Sequence, residues 1–147
     1  MIISDRMQNM QSSPIRKLIP YSQAAEKKGL TVFKLNIGQP DIATPKAFMD
    51  AIKNFDSEFI PYAHSQGITE MIESLVKYYK KFDIPLEYED IIVTAGGSEA
   101  LVFALMTIAN PGDEIIIPEP FYANYNSFAT FAGLNVVPVL TKAEDGF

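Results

Sequence analysis

The sequence predicts an α/β protein with a parallel-type sheet and helices on both of its faces. From residue 90 onward, short β-branched strands at 91–93, 114–118 and 135–140 alternate with single helical segments. All three strands are apolar on both faces, which is typical of parallel strands buried between helices. The first strand runs into two glycines and a serine that open a helix, and such junctions occur at the ligand-binding edge of these sheets.

The N-terminal residues predict an arm followed by a helix. Residues 1–12 mix apolar and polar side chains without a helical or strand period. Ser13 and Pro14 then supply an N-cap and a proline at the first helical position. We expect the helix to continue to about residue 28, with a bend at Pro20 and an end at Gly29.

The middle of the chain predicts two further helices. Residues 31–37 are β-rich and lead into a turn. Thr44 and Pro45 again provide a cap and a first-turn proline, here for a short helix over 46–54. Residues 68–82 place apolar side chains at helical spacing, which predicts an amphipathic helix.

The helices between the predicted strands span residues 98–110 and 122–132, and each is followed by a glycine-containing stop. The last seven residues, 141–147, resemble a connection toward another element. Three parallel strands alone would leave the sheet edges unprotected. We therefore expect the sequence to be an incomplete piece of a longer protein.

Composition excludes several classes of protein. The 147 residues suit one domain, and 12 basic against 18 acidic residues give a net charge of −6 without a basic cluster. A nucleic-acid surface is therefore not expected. The chain has no cysteine and one histidine, so we expect no metal site. Its longest apolar run, 100–109, is shorter than the roughly 18 residues of a membrane span. We expect a cytoplasmic protein without membrane contact.

The junction at residues 93–101 is the strongest local signal. Gly96 and Gly97 follow the strand, and Ser98 opens the helix. Unpaired amides at the positive end of a helix dipole suit a phosphate, and a serine adds a hydroxyl donor. An ordinary strand–helix turn with a serine cap remains the alternative. The spacing is neither a dinucleotide fingerprint nor a P-loop.

Four motifs, which occur in matching order and spacing, resemble those of fold-type I pyridoxal-phosphate enzymes. The resemblance is to the class I and II aminotransferases typified by aspartate aminotransferase, and it covers essentially the whole chain. The motifs are Asn36-Ile37-Gly38-Gln39-Pro40-Asp41, Tyr62 with Gly67, Thr94-Ala95-Gly96-Gly97-Ser98-Glu99-Ala100-Leu101, and Pro118-Glu119-Pro120-Phe121-Tyr122 with Tyr125.

The resemblance implies a site for pyridoxal 5′-phosphate. Gly97, Ser98 and Glu99 would offer backbone amides to the phosphate, and Ser98 also its hydroxyl. The Glu99 side chain would point away from the phosphate. Tyr122 would stack on the pyridine ring, where many relatives carry tryptophan. A core tyrosine is the alternative for that position.

The resemblance also implies a homodimer. Tyr62 would donate its phenol to the phosphate from the neighbouring subunit, and the backbone of Gly38 would approach the substrate carboxylate. Residues 1–30, the arm and helix, would contact the partner subunit or the small domain. Residues 31–147 would form an incomplete N-terminal part of the cofactor-binding large domain. Locally, a solvated loop tyrosine and a turn glycine remain alternatives.

The family's chemistry requires three further groups: a Schiff-base lysine, an acid at the pyridine nitrogen and an arginine for the α-carboxylate. In the family all three lie beyond the position of residue 147. No lysine of this chain falls in the Schiff-base motif. We therefore assign no catalytic residue here and expect the 147-residue chain alone to be inactive.

The resemblance implies that the parent protein transfers an amino group between an α-amino acid, with aspartate as one candidate, and a 2-oxo acid. A β-lyase or decarboxylase of the same fold is not distinguished by these motifs. A non-catalytic, effector-binding aminotransferase-like domain of a regulator is a further alternative. The acidic composition and the short N-terminal arm disfavour it.

Overall fold

A computed structural model describes residues 2–147, and this part of the chain contains six α-helices and two β-strands. The elements are α1 Asp5–Gln8, α2 Ile19–Lys27, α3 Lys46–Lys53, α4 Thr69–Lys80, α5 Gly97–Ile108, β1 Glu114–Glu119, α6 Asn124–Ala132 and β2 Asn135–Leu140. The chain divides into two compact units, each of which is described by itself. The first unit comprises the N-terminal residues up to Val32 together with Val93–Phe147, and the second comprises Phe33–Ile92.

The sheet of the first unit is parallel, as the sequence predicts. Strands β1 and β2 pair in register from Glu114 opposite Asn135 to Glu119 opposite Leu140. Helix α6 forms the crossover between them, because parallel strands cannot be joined by a tight turn. The α/β fold class is thereby confirmed.

The core of the first unit lies where α5 and α6 meet the sheet. Its buried residues are Leu105, Phe128, Ala129, Ala132 and Leu134. Partly buried apolar residues of both strands, Ile115 and Val136, pack against this cluster. Ile116, whose side chain alternates to the opposite face of β1, is 68% exposed.

The predicted strand at 91–93 is wrong in detail. Ile91 has extended backbone angles, φ −116° and ψ 128°, and its side chain is buried. A strand also needs a hydrogen-bonded neighbour, and within residues 2–147 only β1 and β2 form a ladder. The same holds for the β-rich stretch 31–37, which contains turns and no strand. Local β propensity is present in both places, but a pairing partner is not.

The N-terminal helix also differs from the prediction. A 3₁₀ turn at Arg16–Leu18 precedes α2, and Pro20 lies in the first turn of α2 and not in the middle of one continuous helix. A proline is tolerated there because the first amides of a helix have no partner inside the helix. The predicted end at Gly29 is confirmed, since Gly29 takes φ +78° and the Leu30 amide donates to the Ala25 carbonyl at 3.2 Å.

The second unit contains α3 and α4 close to their predicted positions. Ile72 of α4 is completely buried. The Gln66 side chain, in the loop before α4, donates to the carbonyls of Tyr88 and Ile91 at 2.9 and 3.0 Å. Both amide hydrogens of Gln66 are thereby used, and they fasten this loop to a segment more than twenty residues away.

Two helices end on glycines with nearly the same left-handed conformation. Gly29 follows α2 with φ +78°, and Gly133 follows α6 with φ +77°. Their surroundings differ. A Cβ added at Gly133 would lie 3.2 Å from the Cβ of Pro111, whereas a Cβ at Gly29 would meet no atom within 4 Å. Comparing the same substitution at Gly29 and Gly133 therefore separates the cost of backbone strain from the cost of a steric clash.

We expect Gly133→Ala to destabilise the chain more than Gly29→Ala. Both substitutions incur the left-handed strain of an alanine, about 1 kcal/mol. Gly133→Ala must also displace Pro111, which adds about 1 kcal/mol of overpacking. Urea unfolding of the 147-residue chain measures both free energies of unfolding. Equal losses in the two variants would contradict the predicted role of Pro111.

Candidate functional site

The loop before α5 has a conformation that only glycine adopts readily. Gly96 has φ 155° and ψ 173° and immediately precedes the first helical residue, Gly97. The Thr94 hydroxyl donates to the Gly96 carbonyl at 2.9 Å. On the other side of the loop, the Glu99 carboxylate accepts a hydrogen bond from the Ala95 amide at 2.7 Å. Two side chains thus hold the loop in place.

The first turn of α5 presents hydrogen-bond donors without partners. Within residues 2–147, neither the amides of Gly97 and Ser98 nor the Ser98 hydroxyl makes a hydrogen bond. All of the residues from Gly96 to Ser98 are exposed. A Cβ added at Gly96 or Gly97 would meet no atom within 4 Å, so the space beside these donors is open. Donors of this kind at a helix N-terminus fit a phosphate group.

Glu99 differs from the predicted arrangement in one respect. The prediction assigns its amide to the phosphate, but in the structure this amide donates to the Gly96 carbonyl at 3.1 Å. The amide is already used inside the first helical turn. The open donors are therefore two amides and one hydroxyl, from Gly97 and Ser98.

Tyr122 lies between β1 and α6, and about half of its surface is exposed. The Asn124 side-chain amide donates to the Tyr122 hydroxyl at 2.7 Å. The Tyr125 ring meets the Tyr122 ring edge-on, with centroids 5.6 Å apart and an interplanar angle of 89°. These contacts hold the phenol ring without covering it. The ring-stacking role of Tyr122 stays a prediction.

A cavity of about 200 Å³ lies between α5, α6 and β1. Its lining is apolar, apart from one phenol group, and consists of Leu101, Leu105, Ile115, Ile117, Tyr125 and Phe128. The cavity therefore offers packing surface and no set of polar groups for chemistry. The open amides of α5 begin one turn before Leu101.

Tyr62 and Gly38 belong to the second unit and are described there only. The Tyr62 side chain is fully exposed. A Cβ added at Gly38 would meet no atom within 4 Å. Their contacts with a phosphate and a substrate stay predictions, as does the division of the chain at residue 30.

No supporting role is assigned from the sequence to two side chains that hydrogen-bond within the site. Thr94 and Asn124 each hold a neighbour that the motifs single out, Gly96 and Tyr122 respectively. Their spacing, two residues from the supported group, is the signal that could have found them. Within the described chain, no three acidic or histidine side chains gather in a way that could hold a metal ion. No helix of residues 2–147 has the length and apolar character needed to cross a bilayer.

The structure defines an α/β protein with unpaired amides at the N-terminus of α5, and comparison with known proteins identifies its family. The family model "Aminotransferase class I and II" matches residues 31–147. The chain is 36% identical over 138 residues to a (5-formylfuran-3-yl)methyl phosphate transaminase of Methanocaldococcus jannaschii, covering 92% of this chain and 37% of that protein. It is 35% identical over 147 residues to an aspartate aminotransferase of Pyrococcus horikoshii, covering 99% of this chain and 37% of that protein.

Solved structures agree with the sequence comparison. A double mutant of the Thermus thermophilus aspartate aminotransferase superposes with a TM-score of 0.86 at 32% identity. The superposition covers 100% of this chain and 39% of that one. The chain thus spans about 37% of the length of the curated relatives it matches.

The chain belongs to the class I and II aminotransferase family. Aspartate aminotransferase-like members of this family use pyridoxal 5′-phosphate. The family predicted from the four motifs is thereby confirmed. The matched region includes residues 94–98, the glycine loop before α5, whose open donors fit the phosphate of that cofactor.

Proposed function

We propose that the full-length protein, of which this chain forms the N-terminal part, is a pyridoxal-phosphate-dependent aminotransferase. It transfers an amino group between an α-amino acid and a 2-oxo acid, and aspartate is the first donor to test. The name of the Pyrococcus horikoshii relative supports that choice. A cytoplasmic location is part of the proposal.

The observation that carries the proposal is the open donor set at the start of α5, inside the region that the family model matches. The amides of Gly97 and Ser98 and the Ser98 hydroxyl would hold the cofactor phosphate. Preorganised amides at a helix N-terminus bind a dianion without reorganising, and the helix dipole adds to the attraction.

The remaining residues of the chain would orient the ring and the substrate. The Tyr122 face would set the tilt of the pyridine ring, held by Asn124 and Tyr125. When bound, the cofactor supplies an electron sink for charge that develops at the substrate α-carbon. In the proposed homodimer, the fully exposed Tyr62 would donate its phenol to the partner subunit's phosphate site. Gly38 would leave room for the substrate carboxylate.

The test is cofactor loading of the full-length protein. We expect purified protein to bind pyridoxal 5′-phosphate with a visible absorbance band and to transfer the amino group of aspartate to a 2-oxo acid. Borohydride reduction followed by peptide mass spectrometry should fix the cofactor to a lysine outside residues 1–147. The isolated 147-residue chain, in which no lysine falls in the Schiff-base motif, is the control. It should not transfer the amino group of aspartate.

Two results would contradict this proposal. If the full-length protein binds no pyridoxal 5′-phosphate, it is not a pyridoxal-phosphate-dependent enzyme. A protein that binds the cofactor but releases ammonia or carbon dioxide from amino acids, without transfer to a 2-oxo acid, would instead be a lyase or decarboxylase. Product analysis with several amino acids distinguishes these outcomes.

A further inference from the structure

We infer that Glu99 is a positioning residue whose carboxylate holds the glycine loop so that the Gly97 and Ser98 amides stay aimed at the phosphate. This inference rests on the proposed function of the same loop. Glu99 would not bind the phosphate itself, because its amide is used by the Gly96 carbonyl and its side chain is an anion.

Two side-chain hydrogen bonds constrain the glycine loop. The Ala95 amide donates to Glu99 Oε2 at 2.7 Å, which closes a loop over the two glycines between them. The Thr94 hydroxyl closes a smaller loop on the Gly96 carbonyl. No other side chain of the described residues makes a hydrogen bond to residues 94–98. Gly96 and Gly97 have no side chains, and a Cβ added at either would meet no atom within 4 Å, so packing does not stiffen them.

The loop needs this hydrogen bond because two consecutive glycines give the backbone more conformational freedom than any other pair of residues. Their amides become a phosphate site only if the freedom of the backbone is removed before binding. A carboxylate near a bound dianion is normally unfavourable. Here it is engaged by the Ala95 amide and sits in the first turn of α5, where the helix dipole favours an anion.

Three substitutions separate the hydrogen bond from the charge. Glu99→Gln keeps the reach and an acceptor oxygen but removes the charge. Glu99→Asp keeps the charge but is one methylene too short to reach the Ala95 amide in the same way. Glu99→Ala removes both. Each variant is made in the full-length apoprotein and titrated calorimetrically with pyridoxamine 5′-phosphate and with pyridoxamine, which lacks the phosphate.

We expect Glu99→Asp and Glu99→Ala to weaken pyridoxamine 5′-phosphate binding about tenfold, which is the effect of losing one capping hydrogen bond. Their affinity for pyridoxamine should stay unchanged. Glu99→Gln should bind the phosphorylated compound at least as well as the wild type. Hydrogen exchange of the Ala95 amide should speed up in the Asp and Ala variants and stay slow in the Gln variant.

Other outcomes would overturn the inference. If Glu99→Gln and Glu99→Ala change the affinity for pyridoxamine 5′-phosphate by the same factor, the charge of Glu99 and not its hydrogen bond determines the affinity. If pyridoxamine and its phosphate weaken equally, the loss is a general one of structure. The Asp and Gln variants decide the matter even where Glu99→Ala does not fold. A wild-type protein that binds neither compound would refute the proposed function itself, whereas a wild type that binds and an insensitive Glu99 would refute only the positioning role.

Discussion

Substituting Ser98→Asp in the full-length protein is expected to lower its affinity for pyridoxamine 5′-phosphate on the order of 100-fold. The variant loses the open hydroxyl donor and places a carboxylate beside the two free amides, where the phosphate would bind. Two anions a few ångströms apart repel strongly, even when solvent screens part of the interaction. Calorimetric titration of the apoprotein measures the loss.

The fold should not suffer from this substitution, and that makes the result specific. An aspartate in the first turn of α5 interacts favourably with the helix dipole, so the thermal stability of the apoprotein should be unchanged or higher. Ser98→Asn, which has the same size without the charge, is the matched control and should weaken binding by only about tenfold. If Ser98→Asp binds the phosphate compound nearly as well as the wild type, the phosphate lies elsewhere.

The largest loss of stability is expected from Phe128→Ala, about 3–4 kcal/mol. Phe128 is 7% exposed and lies in the buried cluster where α5 and α6 meet the sheet. Its ring also contacts Tyr125, with centroids 6.4 Å apart. Truncation enlarges the apolar cavity that Phe128 lines, and the surrounding helices can fill the space only in part.

A second phenylalanine of the same helix provides the control. Phe131 also belongs to α6 but is 43% exposed, so Phe131→Ala should cost about 1 kcal/mol. Urea unfolding of the 147-residue chain with both variants measures the difference. Similar losses at the two positions would mean that the core of this unit lies elsewhere.

The sequence predicts those parts of the fold that depend on local patterns. The strand Asn135–Leu140 falls at its predicted bounds, because a valine-rich run begins three residues after the glycine that ends α6. The helix ending at Gly29 is predicted for the same kind of reason. In contrast, residues 91–93 have strand character but no ladder, because pairing depends on a partner that the pattern does not contain. Pro20 misleads because a proline at a helix start and one at a bend look alike in sequence.

In the candidate site, too, some features follow from local sequence patterns and others do not. The open amides of Gly97 and Ser98 are predictable, since two glycines and a serine after an apolar run specify a helix start. Which backbone donor the Glu99 carboxylate accepts from depends on side-chain torsions that the sequence does not fix. The hydrogen bond from Asn124 to Tyr122 is unpredictable for the same reason.

Both side-chain hydrogen bonds of the glycine loop join residues that are close neighbours along the chain. Thr94 reaches two residues ahead, and Ala95 meets a side chain four residues ahead. Contacts of such short range close with little loss of chain entropy, and they do not wait for distant strands to pair. We therefore expect the loop to take this conformation while the ribosome is still adding residues, well before a whole protein of this family is complete.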